Sequence, residues 1–230
     1  AIGVPLAKLA AKVMVGRTLK ELGFTREAKP GHVAIKEAVF PFIKLPGADV
    51  ILGPEMRSTG EVMGVAYDFG EAFAKSQIAA GNRLPHAGTV FVSVRDADKP
   101  RAARLASRLV ELGFKVVATR GTAKAIASAG IQVEAVRKVY EGRPNVVDLM
   151  VNGEIDFLIN TVSGKEALRD SFHIRRTALI HGIPYFTTMP EAFAAVRGIM
   201  SYRRRFEVKP IQEYYSEVEG NYYARRRVAN

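Results

Sequence analysis

The chain has 230 residues, 48% of them hydrophobic, and its 34 Lys and Arg against 23 Asp and Glu give a formal net charge of +11. That is enough apolar material for a sizeable core, and the charge favours anionic partners without choosing among nucleic acid, an acidic membrane surface and phosphorylated metabolites. The absence of cysteine excludes disulfides and thiolate metal sites and fits a reducing cytoplasm, and no apolar run reaches the roughly 20 residues that span a bilayer.

Ala1 to Ala10 lacks a basic stretch ahead of an apolar one, so no targeting segment is expected. The chain begins with Ala1 and not Met, which fits chemistry-bearing sequence upstream and fits processing or omitted residues equally well. Pro5 suits a first helical turn, and Leu6, Leu9, Ala10 and Val13 recur at helical spacing, with Gly23 as the expected stop. The β-branched stretches 32–40 and 60–67 read as strands around a loop broken by Pro41, Pro46, Gly47, Gly53 and Pro54, and 71–80 reads as a helix. So few elements cover little apolar surface, so residues 1–81 are expected to be the end of something larger.

Beyond a linker near Gly81 to Gly88, strands and helices alternate: strand 89–95, helix 99–112, strand 114–119, helix 122–129, strand 132–137, short helix 145–152, strand 155–160, helix 164–181, strand 183–187 and helix 190–203. Short apolar strands such as Val90-Phe91-Val92 and Phe157-Leu158-Ile159, each leading into an amphipathic helix, imply right-handed crossovers. The fold class is therefore α/β, a doubly wound five-stranded parallel sheet of flavodoxin-like type over 82–205. Asp98 ahead of Pro100 fits an N-cap followed by a first-turn proline. The tail 206–230 is charged and tyrosine-rich and suggests no firm structure. The short basic runs Arg203 to Arg205 and Arg225 to Arg227 read as solvated surface.

In a doubly wound sheet, ligands lie outside the carboxyl ends of the strands, where helix N-termini present free N–H groups. Thr119-Arg120-Gly121-Thr122 and Asn160-Thr161-Val162-Ser163-Gly164 fall at two such ends, and each offers hydroxyls, a glycine and a helix start. Lys99 and Lys138 follow the first and third strands of this sheet, so both cations are expected at the same edge. The competing reading has Thr122 and Ser163 as plain helix caps and both lysines solvated. His32, His86, His173 and His181 are scattered without metal-ligand spacing, so no metal site is expected.

At these residues the sequence resembles a known family. Leu45-Pro-Gly-Ala-Asp through Leu52-Gly-Pro-Glu-Met-Arg-Ser-Thr-Gly-Glu-Val-Met-Gly64 is similar to the late ATP-grasp segment of carbamoyl phosphate synthetase large chains. Val92-Ser-Val-Arg95, Ala118-Thr-Arg-Gly-Thr-Ala123, Ala129-Gly-Ile131, Lys138-Val-Tyr-Glu-Gly-Arg-Pro144 and Ile159-Asn-Thr-Val-Ser-Gly164 resemble, in order, that chain's methylglyoxal-synthase-like regulatory domain. The resemblance covers residues 1 to about 200. It implies that 1–81 is the end of an incomplete ATP-grasp α+β segment and 82–205 an allosteric domain.

The family makes carbamoyl phosphate from bicarbonate, glutamine-derived ammonia and two ATP with Mg2+, using a glutaminase small subunit, for pyrimidine and arginine biosynthesis. The resemblance implies effector-nucleotide contacts from Lys99, Thr119, Thr122, Lys138 and Asn160, with UMP or IMP as effector, and an ornithine site at Glu37 and Thr187. Val162 departs from a related Thr-Thr-Ser-Gly pattern and removes one hydroxyl contact. The catalytic carboxylates would lie upstream of Ala1, so the fragment alone is expected to be non-catalytic and free of cofactor, while the complete enzyme uses ATP and Mg2+. Its implied partners are the rest of the large chain and the small subunit, in an oligomeric, cytoplasmic enzyme without nucleic acid or membrane. Glu55, Arg57 and Glu61 are expected to hold their loop by ion pairs.

Two other functions remain open at this point. A stand-alone enzyme of methylglyoxal synthase type would need carboxylates and a histidine at the phosphate site, whereas the Asn160 to Gly164 turn offers no Asp, Glu or His and Asp148 is the only nearby candidate acid. A basic nucleic-acid-binding domain has no recognition motif to support it.

Overall fold

The computed structural model describes residues 2–39, 60–164, 171–204 and 206–218. Helix α1 (Leu6–Met14) ends earlier than expected because Gly16, at φ 93°, receives the chain in the left-handed region, and Arg17 N–H bonds back to the Lys12 carbonyl at 3.1 Å. Gly23 closes the following turns instead of the helix. Strands β1 (Val33–Val39) and β2 (Gly60–Ala66) pair antiparallel, Val33 opposite Ala66. Helix α2 (Phe69–Ala79) then packs on β2, its start capped by the Asp68 carboxylate, which accepts the Glu71 N–H at 3.1 Å. Glu61 pairs with Lys36 across the two strands; Glu55 and Arg57 lie outside the described residues.

The second part is the expected α/β unit: β3 (Gly88–Ser93), α3 (Lys99–Glu111), β4 (Phe114–Thr119), α4 (Arg120–Ser128), β5 (Glu134–Val136), α5 (Val146–Val151), β6 (Phe157–Asn160), α6 (Phe172–Ile180), β7 (Tyr185–Phe186) and α7 (Met189–Tyr202). The expected start of the helix at 164 runs into residues 165–170, outside those described. All five strands are parallel, in the order β5-β4-β3-β6-β7. Numbered within the sheet the order is 3-2-1-4-5, so the third strand lies at the edge and not between the first and fourth as in flavodoxin's 2-1-3-4-5, and the winding reverses between β3 and β6.

Both faces of the sheet are buried. Val90, Val92, Phe157 and Ile159 meet α3, α4 and α7 through Leu105, Ile126 and Ile199, while Phe91, Val117 and Leu158 meet α5 and α6 through Met150 and Ile174. This is why these strands read as short continuous apolar runs and not as alternating ones.

The first part shares this core. Phe73 and Ala74 of α2, with Leu84, belong to the same apolar cluster as β3 and α7. Close approach of α2 and α7 depends on small residues: a Cβ on Gly70 would lie 2.6 Å from the Arg197 carbonyl oxygen, and one on Gly198 would lie 3.1 Å from Phe73 Cδ1 on α2 and 2.9 Å from Leu84 Cδ1 in the segment after it. The tail, expected to be irregular, forms helix α8 (Ile211–Ser216), with Tyr214 buried. Lys209 supplies the anchor: its ammonium lies 4.5 Å from the Tyr67 ring centre and 5.1 Å from that of Tyr214, and donates to Tyr67 Oη at 3.0 Å. Tyr67 in turn donates to Glu217 at 2.5 Å. These partners are remote in sequence, so a six-residue helix of low apolar content carries no local signal.

Gly64 tests how tightly β2 and α2 are seated, because a Cβ there would overlap the Ala72 carbonyl oxygen and the Ser76 nitrogen, both backbone atoms that cannot swing away. Gly64→Ala is expected to destabilise by about 1–3 kcal/mol. Gly31→Ala, which meets nothing within 4 Å, should be close to neutral. Urea denaturation of the two variants checks the difference.

Candidate functional site

The winding reversal places the ends of β3 and β6 side by side, with Ser93 opposite Asn160 in register. Neighbours in register project to the same face, so Asn160 shares its face with Ser93. Ser93 Oγ lies 3.2 Å from Thr119 Oγ1 at the end of β4. Thr119 donates to Thr122 Oγ1 at 3.3 Å, and Thr122 Oγ1 also accepts the Val94 N–H at 3.2 Å. Thr119 and Thr122 are both buried. Neither caps α4: Thr119 occupies the N-cap position without a side-chain capping bond, and the first turn of α4 has no acidic residue. The hydroxyls therefore tie the ends of β3 and β4 to the first turn of α4 and leave the positive start of that nine-residue helix uncompensated by any acidic side chain of its own first turn.

Lys99 begins α3, and its ammonium leans over that helix start; a Cβ on Gly121 would lie 3.3 Å from Lys99 Nζ. The same ammonium pairs with Asp96 Oδ1 at 2.7 Å. Lys138 follows β5. The Asp96 carboxyl is held below the usual range by the Lys99 hydrogen bond, then by the charges of Lys99 and of Lys138, so both cations act on one neighbourhood. Asn160 completes the arrangement. It is 1% exposed, and its Nδ2 has no hydrogen-bond partner among the described residues. A buried amide donor left unpaired costs roughly 1–3 kcal/mol, a deficit that an acceptor on a ligand would remove.

Asp98 departs from its sequence reading. It makes no capping bond to α3; it is buried, accepts from Arg95 Nε at 2.7 Å and from Thr161 Oγ1 at 2.9 Å, and so bridges the loop after β3 to the loop after β6. Thr161 Oγ1 also accepts the Arg95 N–H at 3.3 Å. Sequence reasoning missed this clamp because an Asp two residues before a proline has a ready local explanation. Asp148 is likewise not a free acid beside the site: it pairs with Arg143 and accepts the Asn145 N–H at 2.9 Å at the start of α5. Asp96 and Asp98 stand on the turn that follows the carboxyl end of β3.

Glu37 lies on β1, half-buried, and accepts from Gln77 Nε2 at 2.9 Å. Burial pushes its carboxyl up, as does the charge of Glu191, and the Gln77 bond opposes both. Glu191 starts α7 as half of a capping box, accepting the Thr188 N–H at 3.2 Å while Thr188 Oγ1 accepts its own N–H at 3.3 Å. Thr187 Oγ1 reaches the same Glu191 oxygen at 3.5 Å. Glu191, which sequence reasoning did not single out, thus bonds Thr187 and acts by its charge on Glu37.

Together the fold and its carboxyl edge define an MGS-like α/β domain, and the MGS-like domain family matches residues 101–187. Across its length the chain is homologous to the carbamoyl phosphate synthase large chain. It is 56% identical over 215 residues to that protein from Myxococcus xanthus (strain DK1622), covering 93% of this chain and 20% of the relative. It is 52% identical over 219 residues to the one from Archaeoglobus fulgidus, covering 94% and 20%, and 48% identical over 221 residues to one from Methanosarcina barkeri, covering 95% and 56%. The chain thus spans between a fifth and just over half of the length of these curated relatives.

The Asp98 clamp has a pH signature. Burial raises the Asp98 carboxyl, but the hydrogen bonds from Arg95 and Thr161 and the charges of Arg95 and Arg101 outweigh it and leave it below the usual range. A depressed folded-state value means that the contribution is fully present above the unfolded value of about 4 and disappears as pH falls through the folded one. Asp98→Asn should therefore be less stable than the parent at neutral pH, with the gap closing below about pH 4. Thermal melts of both proteins across pH 2.5–7 check this.

Proposed function

We propose that this chain is the regulatory portion of a carbamoyl phosphate synthase large chain. Residues 1–81 end its second ATP-grasp half, and residues 82–205 are an allosteric domain binding UMP or IMP. The observation that carries this reading is the unpaired Nδ2 of buried Asn160 on the same carboxyl edge as the open start of α4, where Lys99 leans over that start and Lys99 and Lys138 both act on Asp96. An unpaired donor, an open helix start and two cations suit a phosphate dianion. Within the complete enzyme, nucleotide binding would control ATP- and Mg2+-dependent carbamoyl phosphate synthesis from bicarbonate and ammonia, with the rest of the large chain and the glutaminase subunit as cytoplasmic partners. The fragment alone is then non-catalytic.

If the phosphate provides the grip, uridine should bind far more weakly than UMP. Lys138→Ala should weaken UMP or IMP binding by about one to two decades, since a hydrogen bond to a charged group is worth roughly 1.5–3 kcal/mol. Calorimetric titration of the chain decides this: equal affinity for uridine and UMP, or unchanged UMP affinity in Lys138→Ala, would remove the assignment.

The second part of the proposal is an ornithine site at Glu37 and Thr187. The half-buried Glu37 carboxylate, pushed up by burial and by Glu191, would be relieved by a bound ammonium group. Glu37→Ala should reduce ornithine activation of the complete enzyme about tenfold or more while leaving UMP affinity nearly unchanged. Activity titrations with ornithine, run beside UMP binding, check both halves of that statement.

A further inference from the structure

The anion-binding reading leaves one group unexplained, an acid in the middle of a site built for anions. Asp96 opens the 3-10 turn Asp96–Asp98 between β3 and α3. It places Oδ1 2.7 Å from Lys99 Nζ, while 93% of its side chain faces solvent. Asp98, two residues on, is buried and fixed by Arg95 and Thr161, so the turn that carries Asp96 is anchored from below. An acid so exposed gains little stability from its ion pair and loses little by rotating away.

We propose that Asp96 is a resident counter-anion of this site, occupying the Lys99 ammonium in the empty protein and competing directly with an incoming phosphate for it. The proposal rests on the phosphate reading given above and adds a residue that tunes it. Two like charges close to the positive start of α4 repel one another when the site is empty, and the Asp96 carboxylate offsets that repulsion. An exposed aspartate is ionised at neutral pH in any case, and Lys99 and Lys138 only push it further that way, so it is a full competitor there. A dianionic phosphate must displace the carboxylate from Lys99 and tolerate its charge nearby. A simple anion with few other contacts is therefore disfavoured relative to a nucleotide, whose remaining contacts meet that cost.

The test uses the whole chain with two probes, inorganic phosphate and UMP, followed by calorimetry. Asp96→Asn removes the charge with little change in shape and should tighten phosphate binding about two- to fivefold, the range that an exposed ion pair of this kind represents. UMP should tighten by no more than phosphate does. In a double-mutant cycle with Lys99→Ala, most of the gain should vanish, because the competition runs through that lysine. Glu134→Gln, which removes an exposed acid paired with Lys115 at the other end of β4, should have no such effect.

Equal tightening in Glu134→Gln, or a gain that persists in the Lys99→Ala background, would reduce the effect to overall charge and overturn the proposal. Unchanged or weaker binding in Asp96→Asn, in a chain whose UMP affinity still falls with Lys138→Ala, would overturn the role given to Asp96 and leave the phosphate site standing. No phosphate or UMP binding by the parent chain would overturn the phosphate reading itself and this proposal with it.

Discussion

Parallel pairing is the constraint on which the rest depends. With all five strands pointing the same way, every carboxyl end falls on one edge, and each following helix begins there with its free N–H groups. Burial on both faces then fixes the strands, because Phe91 and Leu158 face one helical layer while Val90, Val92 and Ile159 face the other. A one-residue slip would exchange these two faces. Polar residues at the strand ends are thus held by a core they do not belong to. Ser93, Thr119 and Thr122 can spend their hydroxyls on each other and on Val94, and the Asn160 amide can stay unpaired, because the apolar layers beneath supply the stability.

The same edge shows how burial sorts chemically equivalent acids. Asp96 and Asp98 lie two positions apart on one turn, yet Asp98 is buried and bound from two sides while Asp96 stands in solvent against one lysine. An acid that is buried must be satisfied by its neighbours. Asp98 therefore becomes a cross-link between the loops after β3 and β6, and Asp96 keeps the freedom to change partners.

Much of the second part was legible in the sequence. Apolar strands such as Val90-Phe91-Val92 and amphipathic helices such as 99–111 follow from local periodicity, and that was enough to place the strand ends and the polar residues at them. What was not legible depends on distance in the chain. Asp98 looks like a helix cap until Thr161, 63 positions later, arrives beside it. The end of α1 was misjudged by reading Gly23 as the stop, although the helical spacing of apolar residues already ends at Val13 and Gly16 follows within a turn. The order β5-β4-β3-β6-β7 is also non-local, since alternating strands and helices fit more than one winding.

The tail follows the same logic and links it to the joint between the two parts. Helix α7 lies against α2, with Gly70 and Gly198 allowing close contact and Ser201 donating to Asp68 at 3.0 Å. The chain leaving α7 returns over the first part, where Glu207 N–H donates to Glu71 at 3.2 Å and Lys75 donates to the Glu207 carbonyl at 2.7 Å. Lys209 then settles against Tyr67 and Tyr214. Helix α7 is thus held along α2 and at its far end, which leads into a segment bound to α2 and Tyr67, while the Glu191 charge at its start disfavours ionisation of Glu37 on β1. Close packing of this kind transmits displacement, because interiors at crystal-like density do not absorb a shift without moving a neighbour. A movement of α7 relative to the sheet would therefore have to disturb its packing on α2, the tail that follows it, or both.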